Sequence, residues 1–456
     1  MSTLFKHLCG YADKKRISFA MPGHKGGRGF SDEFRRRLCE IDVTELSGTE
    51  NLHAPREIIA AAQKRLAVLY QSDESYFLTG GSTEGVHIMI HAACHGGRLL
   101  VNRSSHRSAV NCCVLSGTEP VFIPQATDGD LFIPECPRPE LIEKILSEQS
   151  GIDAVLITSP NYYGQLADVR KIAQICHSHS VPLLVDEAHG AHFAAPGMPE
   201  GAVACGADMA VQSAHKTLNA LNQAAFLHIK SDLIDYQTVR ALTAMGGTSS
   251  PSYPIVSSAE AAAEELLSDD WCDLADYIAG KKRALSTETD IIMPSGRIDP
   301  TRVVFGFKNY GISGYDVEKI LDEKYGIDTE MSDSKNVVCN ITPTNTREEI
   351  DLLFKATKEI AQSAGKSSMP AYPPPPLPKA VLSPREAFYK KGETVRLESA
   401  AGRICKAAVA AYPPGIAVIS YGEEITPELI EYIETITKLG ASVEGMEKDG
   451  IRVIVE

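Results

Sequence analysis

The sequence predicts an α/β fold with a mostly parallel sheet in its large domain. DAVLITSP (from Asp153) and VPLLVDEAHG (from Val181) are short, apolar and rich in β-branched residues. The segment between them, ADVRKIAQICHSHS, has apolar residues at helical spacing. This β-α-β unit implies parallel strands covered by helices on both faces. Ligands of such sheets bind beyond the carboxyl ends of the strands, so polar residues there are functional candidates. Two further strands are predicted at RLLVNR and AAFLHIK.

Changes in pattern divide the chain into five parts. From about Asp290, the strand-like runs RVVFGFKN and VVCNITP alternate with two helical patterns, which predicts a smaller α+β domain. Five of the six residues from Pro373 to Pro378 are proline, which favours an extended, semi-rigid linker. The predicted parts are an N-terminal segment (1–60), a large domain (61–290), a small α+β domain (291–366), a Pro-rich linker (367–379) and a C-terminal domain (380–456).

Composition and charge favour a cytoplasmic protein. The formal net charge of −14 argues against a nucleic-acid-binding surface. The 11 cysteines form no CxxC pair, and their odd number fits free thiols in a reducing compartment. The sequence contains no apolar run of the length that a signal peptide or a membrane span needs. We therefore expect a small-molecule substrate, with no nucleic acid, membrane or metal.

The stretch AVQSAHKTLNAL places Lys216 after a predicted strand. Alone, this lysine would be interpreted as a solvated loop residue. Pyridoxal-5′-phosphate (PLP) chemistry, however, needs a lysine that forms a Schiff base and a carboxylate that keeps the pyridine nitrogen protonated. Asp186 ends the apolar run VPLLVD, so its strand would deliver it to the edge of the sheet. A helix N-cap or turn residue is the alternative for Asp186.

A glycine-rich turn and a histidine complete the candidate constellation. LTGGSTEGVHIMIHA places Gly-Gly-Ser-Thr directly before a helical pattern, so backbone N–H groups and the hydroxyls of Ser82 and Thr83 can face an anion. The turn matches neither GxxxxGK[ST] nor GxGxxG. His106, in NRSSHRS, follows a predicted strand and is a candidate to stack on a pyridine ring; a surface loop histidine is the alternative.

The order of these elements resembles that of fold-type I PLP-dependent enzymes, the aspartate aminotransferase-like superfamily. Within it, the chain is similar to the Orn/Lys/Arg decarboxylase family over nearly its whole length. The motifs that carry the resemblance are MPGHKGG, DVTELSGTENLHAP, TGGSTEG, SHRS, DEAHGAHF, QSAHK, TSSPSYPIVSS and AAGRICKAAVAAYPPGIAVISYGEEIT. The resemblance implies a fold-type I PLP-dependent transferase fold and the decarboxylation of a basic amino acid.

The resemblance also implies a role for each matching residue. Lys216 would hold the cofactor covalently, Asp186 would pair with the pyridinium nitrogen, and His106 would stack on the ring. The phosphate ligands would be Ser82, Thr83, Ser213 and, as a further candidate, His215. His189 would lie near the cofactor's phenolic oxygen, where some large relatives have Trp.

Two N-terminal features of the resemblance bear on assembly. MPGHKGG and the Leu52–His53 segment would lie in the active-site region near a dimer interface; turn glycines and a packed histidine are the alternative. Because MPGHKGG begins at Met21, it leaves no room for the response-regulator-like wing domain of large acid-inducible relatives. We therefore expect the compact form, a homodimer or higher homo-oligomer, without the wing-mediated decamer.

The choice of substrate depends on an acid for the distal cation. Glu330, in YGIDTEMSD, matches the position that the family uses; a solvated edge-strand acid is the alternative, and Asp328 and Asp333 are further candidates. We expect arginine, then lysine or ornithine, as a substrate for polyamine synthesis. Two other functions stay open. A PLP aminotransferase or lyase would need an arginine to neutralise the substrate's α-carboxylate, and a silent scaffold would not need the intact Lys216 and Asp186.

Overall fold

The computed structural model describes residues 3–367, 376–412, 415–448 and 450–455. The predicted linker over 367–379 lies mostly outside the described residues and stays a prediction. In the described ranges, no helix combines the length and the apolar character that crossing a membrane requires.

The N-terminal segment supplies the first elements and ties them to a distant part of the chain. These elements are α1 (Leu4–Ala12), β1 (Ile17–Ser18), α2 (Asp32–Arg37) and α3 (Ile58–Tyr70). Ser31 caps α2 through its side chain, which accepts a hydrogen bond from the Phe34 N–H. The short strand β1 pairs in parallel with residues 327–328, so the segment reaches the small α+β domain.

A mostly parallel sheet forms the centre of the large domain. Its strands, among the residues described, are β2 (Glu74–Leu78), β3 (Arg98–Asn102), β4 (Glu119–Ile123), β5 (Ala154–Thr158), β6 (Leu183–Asp186), β7 (Met209–Gln212) and β8 (Ala225–Ile229). Their order is β2-β8-β7-β6-β5-β3-β4. The strands from β7 to β4 are parallel, whereas β8 is antiparallel to both of its neighbours. The predicted mostly parallel sheet is therefore confirmed.

Helices cover both faces of this sheet. They are α4 (Gly81–Cys94), α5 (Arg107–Ser116), α6 (Pro139–Glu148), α7 (Val169–Ser178), α8 (Ala214–Thr217), α9 (Tyr236–Gly246), α10 (Tyr253–Glu264) and α11 (Asp270–Glu288). Side chains of β6 alternate between two cores: Leu184 packs in the core that contains Met89, and Val185 packs in the core that contains Ile172. Because both faces are buried, β6 is apolar until Asp186, its last residue.

The small domain is a three-stranded antiparallel sheet with two helices. Its elements are β9 (Arg302–Gly306), α12 (Gly314–Tyr325), β10 (Ile327–Asp328), β11 (Met331–Ser332), β12 (Asn336–Asn340) and α13 (Arg347–Ala364). The sheet order is β11-β12-β9, and β10 pairs with β1 instead. The predicted β-α-β-α pattern is present, but the two-residue strands β10 and β11 are too short to leave a pattern. Phe305 and Val337 share one core with Phe226 and Trp271 of the large domain.

The C-terminal domain contains two small antiparallel sheets. Its elements are α14 (Pro384–Tyr389), β13 (Gly392–Arg396), β14 (Val409–Tyr412), β15 (Ile416–Ile419), α15 (Pro427–Lys438), β16 (Ser442–Glu444), β17 (Met446–Glu447) and β18 (Gly450–Ile454). The orders are β13-β18-β17 and β15-β14-β16. The first four residues of the alternating run IRVIVE lie in β18, where Ile451 and Val453 are buried and Arg452 is partly exposed.

Candidate active site

Three loops bring the predicted site residues to one edge of the sheet. Asp186 ends β6, and the chain continues after β7 through Ser213 into the short helix α8, which carries Lys216. The β3 strand leads to His106 through a three-residue loop. Because these three strands are parallel, their carboxyl ends meet, and the predicted clustering of Asp186, Lys216 and His106 is observed.

Lys216 points into this cluster. Its Nζ lies 3.1 Å from Nε2 of His189. Burial lowers the pKa of Lys216, while the nearby carboxylates of Asp186 and Glu330 act in the opposite direction. The Lys216 carbonyl accepts a hydrogen bond of 2.6 Å from Nδ2 of Asn340, in the small domain. Lys216 is thus a held, partly buried amine, and the solvated-loop alternative does not describe it.

Asp186 is a buried carboxylate without a side-chain cation bonded to it in the described residues. The Ala188 N–H donates to its Oδ1 at 3.2 Å. Burial raises its pKa, and the charge of Lys216 opposes that rise. A buried carboxylate of this kind is stabilised by a cationic ligand, such as the protonated nitrogen of a heteroaromatic ring. Of the two alternatives, Asp186 does not cap a helix, whereas its bond from the Ala188 N–H is a turn contact that exists beside the buried position at the strand end.

The N-terminus of α4 and two serines offer donors for an anion. The predicted Gly-Gly-Ser-Thr turn does begin this 14-residue helix. Ser213 Oγ donates to Ser82 Oγ at 2.8 Å, which joins the α4 turn to the loop before Lys216. Thr83 is exposed and lines a groove with His87 and residues near Thr248, so its side chain lies apart from the serine pair.

His215 lies beside this region as a neutral histidine. Its Nδ1 is 3.0 Å from the Ala224 carbonyl, so Nδ1 carries the proton and donates. Burial lowers the pKa of His215 to about 4. In the cofactor-free protein its Nε2 is therefore an acceptor, which makes it a weaker candidate for phosphate than the two serine hydroxyls.

His106 is the N-cap of α5, and it is neutral. The Ser108 N–H donates to Nδ1 at 3.2 Å, and burial lowers the pKa of His106 to about 4. Its backbone also pairs with Ile416 of the C-terminal domain. A half-buried, neutral ring fixed at Nδ1 and by its own backbone is suited to stack on an aromatic ligand. The surface-loop alternative is not observed.

A buried ion pair fixes the loop that carries His106. Arg103 makes a bidentate contact with Glu423, at 2.6 and 2.9 Å, and also donates to the Val418 carbonyl. The Arg103 and Glu423 side chains are 8% and 1% exposed. Sequence patterns do not reveal this pair: Glu423 lies in the motif AAGRICKAAVAAYPPGIAVISYGEEIT, but 320 residues separate it from Arg103, and no local spacing connects the two.

Glu330 is the predicted substrate-binding acid, and it lies at the site. Its carboxylate acts on the pKa of Lys216 and accepts a 2.8 Å hydrogen bond from the Met21 N–H through Oε2. The two other candidates are engaged elsewhere. Asp328 pairs with Arg16, and Asp333 is held by Asn336 and by the Tyr163 hydroxyl, at 2.8 Å.

The MPGHKGG segment packs directly against the Lys216 loop. The Gly23 N–H donates to the His215 carbonyl at 2.8 Å, and a Cβ at Gly23 would lie 2.4 Å from the Leu218 carbonyl oxygen. Lys25 is buried, and its Nζ donates to the carbonyls of Ala20 and Asn340. Burial lowers the pKa of Lys25 to about 7. In this chain the motif is thus a close-packed support of the site.

The Leu52–His53 segment lies further out. Leu52 is buried in the core, and His53 Nε2 lies 2.8 Å from the Thr248 carbonyl. This arrangement matches the packed-histidine alternative in the single chain.

Arg302 and Tyr162 also reach the site, and the sequence analysis did not select them. Nη2 of Arg302 lies 2.7 Å from Nδ1 of His189, and the Tyr162 ring meets the His189 ring edge-on with centroids 5.0 Å apart. The signal for Arg302 was a charged residue at the start of the apolar strand RVVFGF. Its proximity to Lys216 shows only in three dimensions.

These residues fit PLP on geometric and chemical grounds. The site combines a lysine with a lowered pKa, a buried carboxylate that lacks a cation, a neutral histidine ring and a helix N-terminus with two linked serines. An aldehyde, a protonated pyridine, a flat ring and a phosphate are the matching groups of PLP.

Comparisons with known proteins agree with this fit. A family model described as Orn/Lys/Arg decarboxylase, major domain, matches residues 2–278, and its C-terminal domain model matches residues 368–453. An arginine decarboxylase of Bacillus anthracis is 32% identical over 481 residues, which cover 99% of this chain and 97% of the relative. The structure of a Francisella novicida lysine decarboxylase superposes with a TM-score of 0.79 at 20% identity, over 99% of this chain and 80% of that chain. A solved structure of SPT with PLP gives 0.60 at 15% identity, over 76% and 88%.

The fold is therefore that of fold-type I PLP-dependent enzymes, as the sequence predicted. The chain belongs to the Orn/Lys/Arg decarboxylase family, a membership that both domain matches and the full-length relative support.

Proposed function

We propose that this protein is a PLP-dependent carboxy-lyase that converts arginine to the corresponding amine and CO2. The observation that carries the proposal is the placement of Lys216 near Asp186 at the carboxyl edge of the sheet, beside the N-terminus of α4. The full-length relative named arginine decarboxylase supports the choice of reaction and of substrate.

Each residue of the site has a defined task in this proposal. Lys216 holds the cofactor, and Asp186 holds a proton at its pyridine nitrogen. PLP, when bound, supplies a ring that takes up the electron pair released when the Cα–carboxylate bond breaks. His106 stacks on the ring and fixes its plane. The phosphate ligands are Ser82 and Ser213, with Thr83 and His215 as outer candidates; His189 lies beside Lys216.

Glu330 receives the distal cation of the substrate. Its carboxylate is at the site, where it raises the pKa values of Lys25 and Lys216 against the effect of burial. A guanidinium binds a carboxylate through two parallel hydrogen bonds, which favours arginine where one acid must hold the substrate's far end. Lysine and ornithine are the next candidates, and the Francisella lysine decarboxylase has the same fold.

The active form is a homodimer or a higher homo-oligomer. In the described chain, α1 buries none of its residues, and Leu4, Phe5 and Leu8 are 75%, 76% and 54% exposed. Leu4, Leu8 and Tyr11 share one helical face, so the exposed side chains form an apolar stripe. Exposed apolar stripes are typical of protein–protein contact surfaces. The family resemblance implies that a second copy of this chain covers this stripe.

The chain is divided into five parts, and its location is cytoplasmic. We propose the five parts bounded at residues 60, 290, 366 and 379, a cytoplasmic location and a role in polyamine synthesis. All eleven cysteines are free thiols in the structure, which supports a reducing compartment.

An aminotransferase or lyase is the second candidate, and Arg302 is the observation that favours it. A buried arginine stands next to the site, as neutralisation of an α-carboxylate would require. Its Nη2 is engaged with His189, however, and the family match favours the decarboxylase. The nature of the product separates the two: a keto acid in one case, CO2 and an amine in the other.

Borohydride labelling tests the cofactor assignment. The protein purified with PLP should be yellow, since conjugated imines of this cofactor absorb near roughly 420 nm. Reduction with sodium borohydride and peptide mapping should place the label on Lys216. Lys25, which is also buried with a lowered pKa, is the internal control and should stay unlabelled. A label on Lys25 or on another lysine would refute the assignment.

A further inference from the structure

His189 is held at both of its ring nitrogens. Nη2 of Arg302 lies 2.7 Å from Nδ1, and Nζ of Lys216 lies 3.1 Å from Nε2. His189 and Arg302 are 2% and 1% exposed. The three side chains therefore form one buried row that runs from the small domain to the candidate cofactor lysine.

The chemistry of arginine fixes the direction of both hydrogen bonds. A guanidinium has five N–H donors and no acceptor, and it stays protonated in proteins. Nδ1 of His189 must therefore present its lone pair to Arg302. A neutral imidazole has one N–H, which then belongs to Nε2 and faces Lys216. Nζ of Lys216 must accept this hydrogen bond, and an ammonium group has no lone pair with which to accept it.

The electrostatics around His189 agree with a neutral ring. Burial lowers its pKa well below the usual value, and the permanent charge of Arg302 lowers it further; a charged Lys216 would act in the same direction. His106 and His215 are the other titratable groups that act on it, in the same direction. A protonated His189 would add a charge to a row that already contains a permanent cation, and it would have no lone pair for Arg302.

The electrostatics around Lys216 agree with a neutral amine. Burial is the largest influence, and it lowers the pKa; the Arg302 charge lowers it as well. Asp186 and Glu330 raise it. Burial and Arg302 thus favour the neutral amine, and the hydrogen bond from His189, which only a lone pair can accept, favours the same form.

Arg302 is held firmly enough to act in this way. Arg302 begins β9, and its backbone N–H donates to the Asp299 carbonyl. The Arg302 carbonyl accepts a 3.0 Å hydrogen bond from Nζ of Lys282. A Cβ at Gly164 would lie 2.7 Å from Cβ of Arg302, so Gly164 leaves the space that this side chain occupies. Among the described residues, Nε and Nη1 of Arg302 have no hydrogen-bond partner, so the guanidinium is directed by its bond to His189.

We propose that Arg302 is a positioning residue that locks His189 in the neutral Nε2–H tautomer and thereby keeps Lys216 as a free amine before the cofactor binds. The free amine is the nucleophilic form of a lysine. The importance of a free Lys216 amine rests on the proposed role of Lys216 as the cofactor lysine. The assignment of the His189 tautomer is independent of that role.

Nitrogen NMR of the full-length, cofactor-free protein tests the tautomer. The chain has 13 histidines, and the His189 signals are assigned by their loss in a His189→Asn variant. The wild-type spectrum should show a proton on Nε2 and none on Nδ1, with no titration between about pH 5 and pH 9. A proton on Nδ1, or a His189 that titrates near its usual pKa, would overturn the proposal without any Arg302 variant.

Substitutions at Arg302 test the cause. In Arg302→Gln the amide oxygen can accept from Nδ1–H, so His189 should populate both tautomers; Arg302→Lys retains an obligate donor and should keep the Nε2–H form. The matched control is His192→Gln, which replaces the buried imidazole that contacts Asp299, at 3.1 Å, without touching His189. If His192→Gln changes the tautomer as much as Arg302→Gln does, the effect is general packing and the proposal is wrong.

The state of Lys216 is measured by its rate of labelling with an amine-reactive reagent, followed by peptide mapping. Arg302→Gln should raise the Lys216 pKa by about one unit, which slows labelling about tenfold at a pH below that pKa. His192→Gln and Arg302→Lys should stay within about twofold of wild type. An unchanged rate in Arg302→Gln would contradict the link to Lys216. Because these measurements use the cofactor-free protein, they stand even if no decarboxylation is found.

Discussion

Asp186 and Lys216 are ionisable side chains whose charges burial opposes. Burial raises the pKa of Asp186 and lowers that of Lys216, and the charge of each favours ionisation of the other. Burial therefore disfavours the charged form of each residue, and their mutual attraction only opposes that effect. A ligand with a cationic group next to Asp186 and an aldehyde that reacts with the Lys216 amine would stabilise both residues. PLP has both groups, the first being its protonated pyridine nitrogen.

Glu330 is the proposed acid that binds the distal cation of the substrate. Glu330→Gln should lower kcat/KM for arginine about 10- to 100-fold, because a hydrogen bond to a charged group is worth roughly 1.5–3 kcal/mol. The amide keeps an oxygen that can accept from the Met21 N–H, so the backbone contact is retained. Steady-state kinetics with arginine, lysine and ornithine measure the loss.

Asp328→Asn is the matched control for Glu330→Gln. Asp328 lies two residues away, and its carboxylate binds Arg16 and the Tyr11 hydroxyl instead of facing Lys216. This variant should keep kcat/KM within about twofold. Glu330 is not the substrate-binding acid if Glu330→Gln behaves like the control with all three amino acids.

Between elements, the contact of the C-terminal domain with the loop after β3 is the main support of His106. The loop is held by the Arg103–Glu423 pair and by backbone pairing of His106 with Ile416. The Ser420 N–H adds a third hydrogen bond to Glu423, at 2.7 Å. A carboxylate that is 1% exposed and saturated with donors is costly to neutralise, because its removal leaves Arg103 charged and buried.

Glu423→Gln should therefore lower the free energy of unfolding by about 3–5 kcal/mol. Denaturant titration measures the change. The control is Glu444→Gln, since Glu444 pairs with Arg107 at the surface, where both side chains are at least 40% exposed. An exposed pair is worth no more than about 1 kcal/mol. Equal losses in the two variants would show that the Arg103–Glu423 pair has no special structural role.

Local sequence patterns were enough to find residues at the ends of elements. Asp186 ends an apolar strand, and Lys216 follows another, so both positions could be predicted. Residues whose role depends on packing between distant elements could not. Arg302 begins a strand of another domain, and Asn340 ends one, yet both contact the Lys216 region. No spacing rule connects them to it, since only the folded core sets their distance.

The whole molecule has an apolar surface that a single chain leaves exposed. Light scattering should give a mass of at least twice the 49.3 kDa of one chain. Leu4→Glu combined with Leu8→Glu should weaken the assembly, because both side chains project from the exposed stripe of α1. Leu267→Glu, at another exposed leucine, is the control and should not change the mass. A fully active monomer would contradict the proposed dimer.

Product analysis with purified protein and PLP tests the central claim most directly. Incubated with arginine, lysine and ornithine in turn, the protein should release CO2 and the corresponding amine, fastest with arginine, and Lys216→Ala should abolish the release. Formation of a keto acid in place of CO2 and the amine, or amine formation that persists in Lys216→Ala, would contradict the account.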